Sequence, residues 1–187
     1  MAEKRKNWNG LISGFSASDL VFLDESGCNT DMTRRYAYSF GGSRAVDSTP
    51  LSKPKNATIL SSIQLNGTLH YTTFSGGTTV ERFKRYLETD LLPHLNGNSV
   101  LVMDNMKSHH AKAVKDLLDS SGVRYIYLPP YSPDLNLIEK LRSKVRALLR
   151  KFKARTPDAL PNAIQNAFHA VTVSDCSGWF RFCGYAL

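Results

Sequence analysis

The chain has 187 residues, of which 42% are hydrophobic and 21% charged, and its formal net charge is +8 at pH 7. This length and composition predict one globular domain, with or without a tail, that can bury a sizeable core. The basic excess favours an anionic partner, nucleic acid first and an acidic membrane surface second. No apolar run approaches a membrane span, and three cysteines without a C-x-x-C pair argue against a secreted disulfide framework. We therefore predict a reducing, cytoplasmic location.

The N-terminal part of the chain predicts a tail followed by a strand. Residues 1–19 are polar and basic, which is typical of a linker or the truncated stub of another segment. The apolar run Leu20–Leu23 predicts a buried strand, closed by the turn-forming cluster Asp24–Gly27. The folded domain is thus expected to begin at residue 20.

A hairpin and a helix come next. Two runs rich in β-branched residues, 57–65 and 68–74, are joined by Asn66-Gly67, the strongest short hairpin signal. Apolar residues at helical spacing then predict a helix from about residue 78 that is kinked or ended by Pro93.

The C-terminal half alternates strands and helices. Strands are predicted at 100–103 and 125–128, with a helix from about residue 111 to Ser121-Gly122 between them. Further helices are predicted at 156–171 and from Ser174 onward. A hairpin followed by strand-helix units indicates an α/β fold, a mixed sheet flanked by helices.

Between the last strand and the following helix lies a segment with three prolines, which excludes regular structure up to Asp134. Ser132 or Asp134 is then expected to cap a helix. That helix carries an apolar stripe at three- and four-residue steps, formed by Leu135, Ile138, Leu141, Val145, Leu148, Leu149 and Phe152. Glu139 lies in its first turn, so a rigid loop delivers one carboxylate to a fixed place.

Two further carboxylates, Asp24 and Asp104, each follow a buried apolar strand. In an α/β sheet, ligands bind in the crevice beyond the carboxyl ends of the strands. Three carboxylates at one point repel each other, and hard oxygen ligands suit Mg²⁺ or Mn²⁺. Any one of the three carboxylates alone is better explained as a helix cap or a turn former, but the trio with its loop, in a basic chain, predicts a two-metal phosphodiester site.

The motifs resemble the DDE transposases of the mariner type and their bacterial insertion-sequence relatives. The resemblance rests on these stretches: Asp24-Glu25, Asp104-Asn105 with His109, Pro130–Asn136 with Glu139, Leu148–Lys151 and Gly184-Tyr185. It implies that residues 20–187 form a catalytic domain with a ribonuclease H-like fold. It also implies two Mg²⁺ (or Mn²⁺) ions and catalytic and metal-binding roles for Asp24, Asp104 and Glu139.

The same resemblance implies nicking and strand transfer at transposon ends. The expected partners are terminal-repeat and target DNA, with a homodimer in the active complex and association with the nucleoid. Family members carry a helix-turn-helix part before the first aspartate, which residues 1–19 are too short to supply. Two residues also depart from the family pattern, Leu137 in place of proline and Arg142 in place of an aromatic residue.

The helix after Glu139 is strongly basic, and its cations are Lys140, Arg142, Lys144, Arg146, Arg150, Lys151, Lys153 and Arg155. Four of them share one helical face, namely Arg142, Arg146, Arg150 and Lys153. Phosphates would relieve the repulsion between like charges at this spacing. We therefore predict DNA binding by this face, with Lys140 and Lys144 as further DNA contacts; a merely solvated face is the alternative.

Three polar residues accompany the carboxylates. Asn105 and Asn136 could orient carboxylates or act as helix caps, and His109 could orient a metal-bound water or bond to backbone. Two other functions stay open: a catalytically inactive transposase remnant that binds DNA or full-length transposase, and another ribonuclease H-like nuclease.

Overall fold

The structure is a computed structural model that describes residues 2–34, 36–51 and 53–185, apart from the side chains of residues 2–4 and 6. The helices in these ranges are α1 (Ala2–Ile12), α2 (Val80–Tyr86), α3 (Lys112–Ser121), α4 (Ile138–Phe152), α5 (Ala159–His169) and α6 (Val173–Phe182). The strands are β1 (Leu20–Asn29), β2 (Asn56–Gln64), β3 (Leu69–Ser75), β4 (Val100–Met103) and β5 (Arg124–Tyr127). None of the described helices is long and apolar enough to cross a membrane.

The five strands form one mixed sheet in the order β3-β2-β1-β4-β5. β1, β4 and β5 are parallel, whereas β2 is antiparallel to both β1 and β3. The predicted hairpin is therefore β2–β3, and the predicted strand-helix units supply β4 and β5. Helices cover both faces of the sheet, which confirms the predicted mixed α/β architecture.

Alternation along the central strands divides the core into two layers. Phe22 and Val102 pack on one face of the sheet, in the same cluster as Leu141 of α4. Leu23 and Leu101 point to the other face, where α2 and α3 pack. Because side chains alternate with a period of two, the residues that follow Phe22 and Val102 by two positions, Asp24 and Asp104, are directed to the side of α4.

β1 is longer than the sequence suggested. The expected turn at Asp24–Gly27 is wrong, because β1 continues to Asn29 and pairs there with Asn56 of β2. The antiparallel neighbour extends the strand after the parallel neighbour β4 has ended at Met103. Asp24 thus lies within a strand but at the level where its parallel partner stops.

Part of the segment predicted as a linker or truncated stub is helical and packs on the domain. Ala2–Ile12 is helical, and Trp8 is 3% exposed within the α4-side core. Burial of one large aromatic ring stabilises a short helix whose own sequence carries little helical pattern.

The expected start of α4 also moves. Pro133–Leu135 forms a single 3-10 turn, α4 begins at Ile138, and neither Ser132 nor Asp134 caps it. Ser132 and Asp134 instead bond to Arg5 of α1, as described below.

Candidate active site

A cavity of about 490 Å³ opens where β1, β4 and β5 meet the proline-rich loop. All three predicted carboxylates, Asp24, Asp104 and Glu139, line it, together with Asn105 and Asn136. Of the three carboxylates and the three polar residues predicted to accompany them, the structure therefore brings five to one cavity. The sixth, His109, lies behind Asp104.

The two aspartates are placed by strand register. Leu23 of β1 pairs with Met103 of β4 in parallel, so the next residue of each chain segment, Asp24 and Asp104, emerges at the same level. Parallel neighbours lie about 5 Å apart across the sheet. Two carboxylates at that spacing repel each other, and this repulsion contributes to a raised pKa of Asp24.

Burial raises the pKa of Asp24 to about 7, with repulsion from Asp104 as the next largest cause and a smaller contribution from Glu139. The backbone N–H of Glu25 opposes this shift by donating to Asp24 Oδ1 at 2.7 Å. Because Glu139 contributes to this pKa shift, its carboxylate on α4 interacts electrostatically with Asp24.

Asn136 links Asp24 to the loop. Its Nδ2 donates to Asp24 Oδ2 at 3.1 Å, across 112 positions of sequence, and the residue is 5% exposed. This contact favours the carboxylate-orienting interpretation of Asn136 over a cap. Its buried Oδ1 has no hydrogen-bond partner among the described residues, so it is available as an acceptor beside the cavity.

Asp104 is held from behind by His109, whose side chain is fully buried. The His109 Nδ1 lies 2.8 Å from Asp104 Oδ1, and its Nε2 lies 3.6 Å from Glu25 Oε1, an ion-pair distance too long for a hydrogen bond. The imidazole also packs on Phe83, with 4.3 Å between ring centroids. One histidine thus bridges two carboxylates of neighbouring strands.

The charges on this bridge are set by its surroundings. Burial lowers the pKa of His109, but the two carboxylates outweigh burial and raise it to about 9. Burial raises the pKa of Asp104, and the bonds from His109 and the Met106 N–H outweigh burial, so its pKa lies below the ordinary value. At neutral pH His109 is therefore a cation and Asp104 an anion.

Asn105 has a different role from those considered. Its Nδ2 donates to the backbone carbonyl of Leu128 at 2.5 Å, which ties the end of β4 to the start of the proline-rich loop. The residue positions the loop that carries Glu139 rather than a carboxylate.

The loop is anchored at two further points. Arg5 of α1 forms a bidentate pair with Asp134, with Nη1 and Oδ1 at 2.9 Å, and its Nη1 also donates to the Ser132 hydroxyl at 3.3 Å. The Tyr185 hydroxyl donates to the Leu135 carbonyl at 2.5 Å. Both termini of the described chain thus fix the approach to Glu139, and neither contact had a local signal in the sequence.

Glu139 is paired within its own helix. Arg142 Nη1 lies 3.1 Å from Glu139 Oε1 and 3.4 Å from Oε2, and both side chains are about one-third exposed. The position where the family pattern has an aromatic residue therefore carries a cation bonded to the third carboxylate.

The basic face divides into two groups. Arg142, Arg146 and Arg150 line a second cavity of about 390 Å³, which Glu139 also lines. Arg142 and Arg146 line in addition a third cavity of about 510 Å³, along Gly27 and Gly76. Three arginines thus form a continuous polar surface that starts at Glu139, as a phosphate-binding face requires.

The predicted lysines have partners inside the protein. Lys153 follows the end of α4 in a left-handed conformation and pairs with Asp47 at 2.6 Å. Lys144 pairs with Asp175, and Lys140 lies over the Phe182 ring at 3.7 Å. These acids and the aromatic ring come from distant segments, which an inspection of the helix alone could not find.

The donor set suits a hard divalent cation in its chemistry. Carboxylate oxygens line one cavity, and the Asn136 Oδ1 is an additional buried acceptor. Burial, and after it repulsion from Asp104, raises the pKa of Asp24, and a bound cation would oppose both effects. Yet in residues 2–34, 36–51 and 53–185 no three histidine, cysteine, aspartate or glutamate side chains come close enough to hold an ion together. The aspartate pair and Glu139 share the cavity without closing around a common point.

Solved structures of other proteins have the same fold as this chain. The Mos1 transposase paired-end complex with left transposon end has a TM-score of 0.79 at 21% identity, over 96% of this chain and 57% of that chain. The catalytic domain of Mos1 mariner transposase has a TM-score of 0.66 at 16% identity, over 96% of this chain and 85% of that one. A Mos1 mariner paired-end complex with Mn has a TM-score of 0.74 at 21% identity, over 96% and 58%.

At these identities the likeness shows the fold, which is the predicted ribonuclease H-like one. The chain spans 57% of the length of the Mos1 chain in the first of these complexes. No curated protein sequence matches the chain. The family model described as DDE superfamily endonuclease matches residues 19–160, more than half of the chain and all three carboxylates. This protein belongs to the DDE superfamily endonucleases.

Proposed function

We propose that the chain is a transposase catalytic domain of the mariner type, which hydrolyses DNA phosphodiesters and transfers strands at transposon ends. One observation carries the proposal: Asp24, Asp104 and Glu139 line one cavity, and their mutual repulsion adds to burial in raising the pKa of Asp24 to about 7. Structural ion pairs do not require such a repulsive arrangement, whereas a catalytic cation site does. Membership of the endonuclease family supports the same chemistry.

In this proposal the three carboxylates hold Mg²⁺ or Mn²⁺. When bound, such ions activate a water and stabilise the leaving oxygen of a phosphodiester. Asn136 fixes the orientation of Asp24, and His109 fixes that of Asp104 while neutralising part of its charge. Asn105, Arg5 and Tyr185 hold the loop that delivers Glu139.

DNA is proposed to lie along the arginine surface of α4, formed by Arg142, Arg146 and Arg150. These contacts reach phosphates and carry no sequence information, so binding by this domain should be nonspecific and strongly dependent on salt. The homodimer in the active complex, the separate helix-turn-helix part and the association with the nucleoid stay predictions.

The decisive experiment is metal-dependent nicking of a supercoiled plasmid and of a duplex carrying the terminal repeat. The wild-type domain should nick in Mn²⁺ or Mg²⁺ and not in EDTA, while Asp24→Asn should lose nicking and keep DNA binding. Binding is retained because the substitution removes negative charge near the phosphates.

The same assay separates the other functions. Cleavage of RNA–DNA hybrids in preference to duplex DNA would instead indicate another ribonuclease H-like nuclease. DNA binding without nicking in either metal would indicate the inactive remnant and would overturn the catalytic proposal.

DNA binding is tested by two charge-matched double variants. Arg146→Ala with Arg150→Ala should weaken binding on all sequences alike and flatten the salt slope by roughly one to two units. Lys140→Ala with Lys144→Ala removes the same charge from side chains that do not line the arginine cavity beside Glu139, so its slope should change less. Equal slopes for both double variants would place the DNA elsewhere.

A further inference from the structure

The ion pair between Arg142 and Glu139 is the feature of the site that the proposed mechanism does not use. It joins residues three apart on α4, with the guanidinium within 3.1–3.4 Å of both oxygens of the carboxylate. A carboxylate already bonded to a resident cation has less negative charge to offer to a metal ion.

The arrangement of the other carboxylates agrees with this view. Asp24 and Asp104 are neighbours in register, yet in the described part of the chain no three such ligands converge tightly enough to hold an ion. Glu139 lines the same cavity as the aspartates while its carboxylate is bonded on the side of Arg142. Glu139 is therefore placed to be the third metal ligand, but its carboxylate is bonded to Arg142.

The Arg142 side chain also borders two cavities in which it could bind a phosphate. It shares both cavities with Arg146, one beside Glu139 and Arg150 and the other along Gly27 and Gly76. A guanidinium binds phosphate as well as it binds carboxylate, in the same bidentate geometry. A DNA phosphate in either cavity would compete with Glu139 for Arg142.

We infer that Arg142 is a positioning residue that couples DNA binding to metal binding. Without DNA it holds Glu139 apart from the aspartate pair; a phosphate that takes up its guanidinium frees Glu139 to complete the cation site. By linkage, whatever factor DNA adds to metal affinity, the metal adds to DNA affinity. The inference rests on the proposed metal site and names a residue that regulates its completion.

The test measures Mn²⁺ affinity by titration calorimetry, without DNA, on wild type, Arg142→Gln and Arg150→Gln. Both variants remove one positive charge from the same helix face and the same cavity, but only Arg142 is bonded to Glu139. Arg142→Gln should bind Mn²⁺ roughly two- to fivefold more tightly than Arg150→Gln, the range expected for releasing a partly exposed ion pair.

A second arm measures DNA affinity by fluorescence anisotropy with and without Mn²⁺ at constant ionic strength. The Mn²⁺-dependent gain should be smaller in Arg142→Gln than in Arg150→Gln, because Glu139 no longer needs to be released. A larger gain in Arg142→Gln, or equal gains in both, would overturn the coupling.

Asp24→Asn distinguishes a failure of the proposed metal site from a failure of the role inferred for Arg142. If wild type shows no Mn²⁺ binding that Asp24→Asn removes, the proposed metal site fails and this inference fails with it. If such binding exists but Arg142→Gln and Arg150→Gln bind Mn²⁺ equally, only the role of Arg142 is overturned.

Discussion

The cavity has two walls that hold their carboxylates in different ways. On the wall of β4, Asp104 is bonded to His109, which is fully buried, shares its charge with Glu25 and packs on Phe83. On the wall of α4, Glu139 is bonded to Arg142, and both side chains are about one-third exposed. Asp24 lies between the walls.

The two carboxylates therefore differ in how firmly they are held: the position of Asp104 is fixed, whereas that of Glu139 can change. The His109 side chain is fully buried, so its bond to Asp104 is costly to lose even though Asp104 is 40% exposed. Both partners of the Arg142–Glu139 pair are about one-third exposed, so that pair costs little to break and exchanges partners readily. The β4 wall is therefore built as a rigid reference, and the α4 wall as the part that can respond to a ligand. Each prediction below tests one side of this contrast.

The largest effect is expected from His109→Ala. Removing a buried cation leaves the carboxylates of Asp104 and Glu25 without their partner and opens a cavity beside Phe83. The free energy of unfolding should fall by about 3 kcal/mol or more, chiefly because the Glu25 side chain, which is 12% exposed, keeps an uncompensated buried charge, whereas water replaces much of the bond to Asp104, which is 40% exposed. Urea unfolding at pH 7 in EDTA measures the change.

His110→Ala is the matched control, since this neighbouring histidine is exposed and stacks on Tyr127 at 4.0 Å. Its effect should be much smaller. If the two alanine variants lose similar stability, the β4 wall is not the rigid one. Should His109→Ala fail to fold, His109→Gln preserves much of the volume and tests the charge alone.

The second prediction concerns Asp24 and pH. Its folded pKa of about 7 lies above the ordinary aspartate value of about 3.9, so the folded state binds the proton more tightly. The stabilisation is fully present below about pH 4 and is lost as pH rises to about 7. Over that window wild type should lose up to about 4 kcal/mol relative to Asp24→Asn.

Urea unfolding of both proteins in EDTA at several pH values measures this difference. His109 offers an internal control, because its folded pKa of about 9 predicts a loss of stability from about pH 6.5 to 9 in both proteins. If the stability difference between wild type and Asp24→Asn stays constant from pH 4 to 7, burial and the neighbouring carboxylates do not raise the pKa of Asp24.

Much of this site follows from local sequence rules. Apolar runs at 20–23 and 100–103 predict two buried strands whose next residues are aspartates. In the structure these strands are parallel and in register, and the period of two directs both aspartates to the same side. Hydrophobic spacing located α4, and the three prolines located the loop before it. These features depend on neighbours in sequence.

What the sequence did not show depends on tertiary contacts. The bond from Arg5 to Asp134 spans 129 positions, and no sequence pattern predicts it. Trp8, in the segment predicted as a linker, is likewise buried through contacts with residues distant in sequence. The pairing of Arg142 with Glu139 is different, because side chains three apart on a helix meet. The spacing of three between Glu139 and Arg142 is thus a local signal for this pair, in addition to the place of Arg142 on the predicted phosphate-binding face.

The smallest difference is expected between two substitutions of Leu137, where the family pattern has proline at the start of the α4 wall. Leu137 has φ −63° and Asn136 before it is extended, so the backbone already suits proline. The leucine side chain is fully buried, so Leu137→Ala should lose about 2 to 4 kcal/mol of stability. Leu137→Pro keeps more carbon atoms and restricts the unfolded chain, so it should be more stable than Leu137→Ala by about 1 kcal/mol. Urea unfolding of the two variants measures this difference. If proline is the worse substitution, the start of α4 needs the N–H of residue 137 or a freedom that proline removes, and the α4 wall is then adjustable in its backbone as well as in the partner of Glu139.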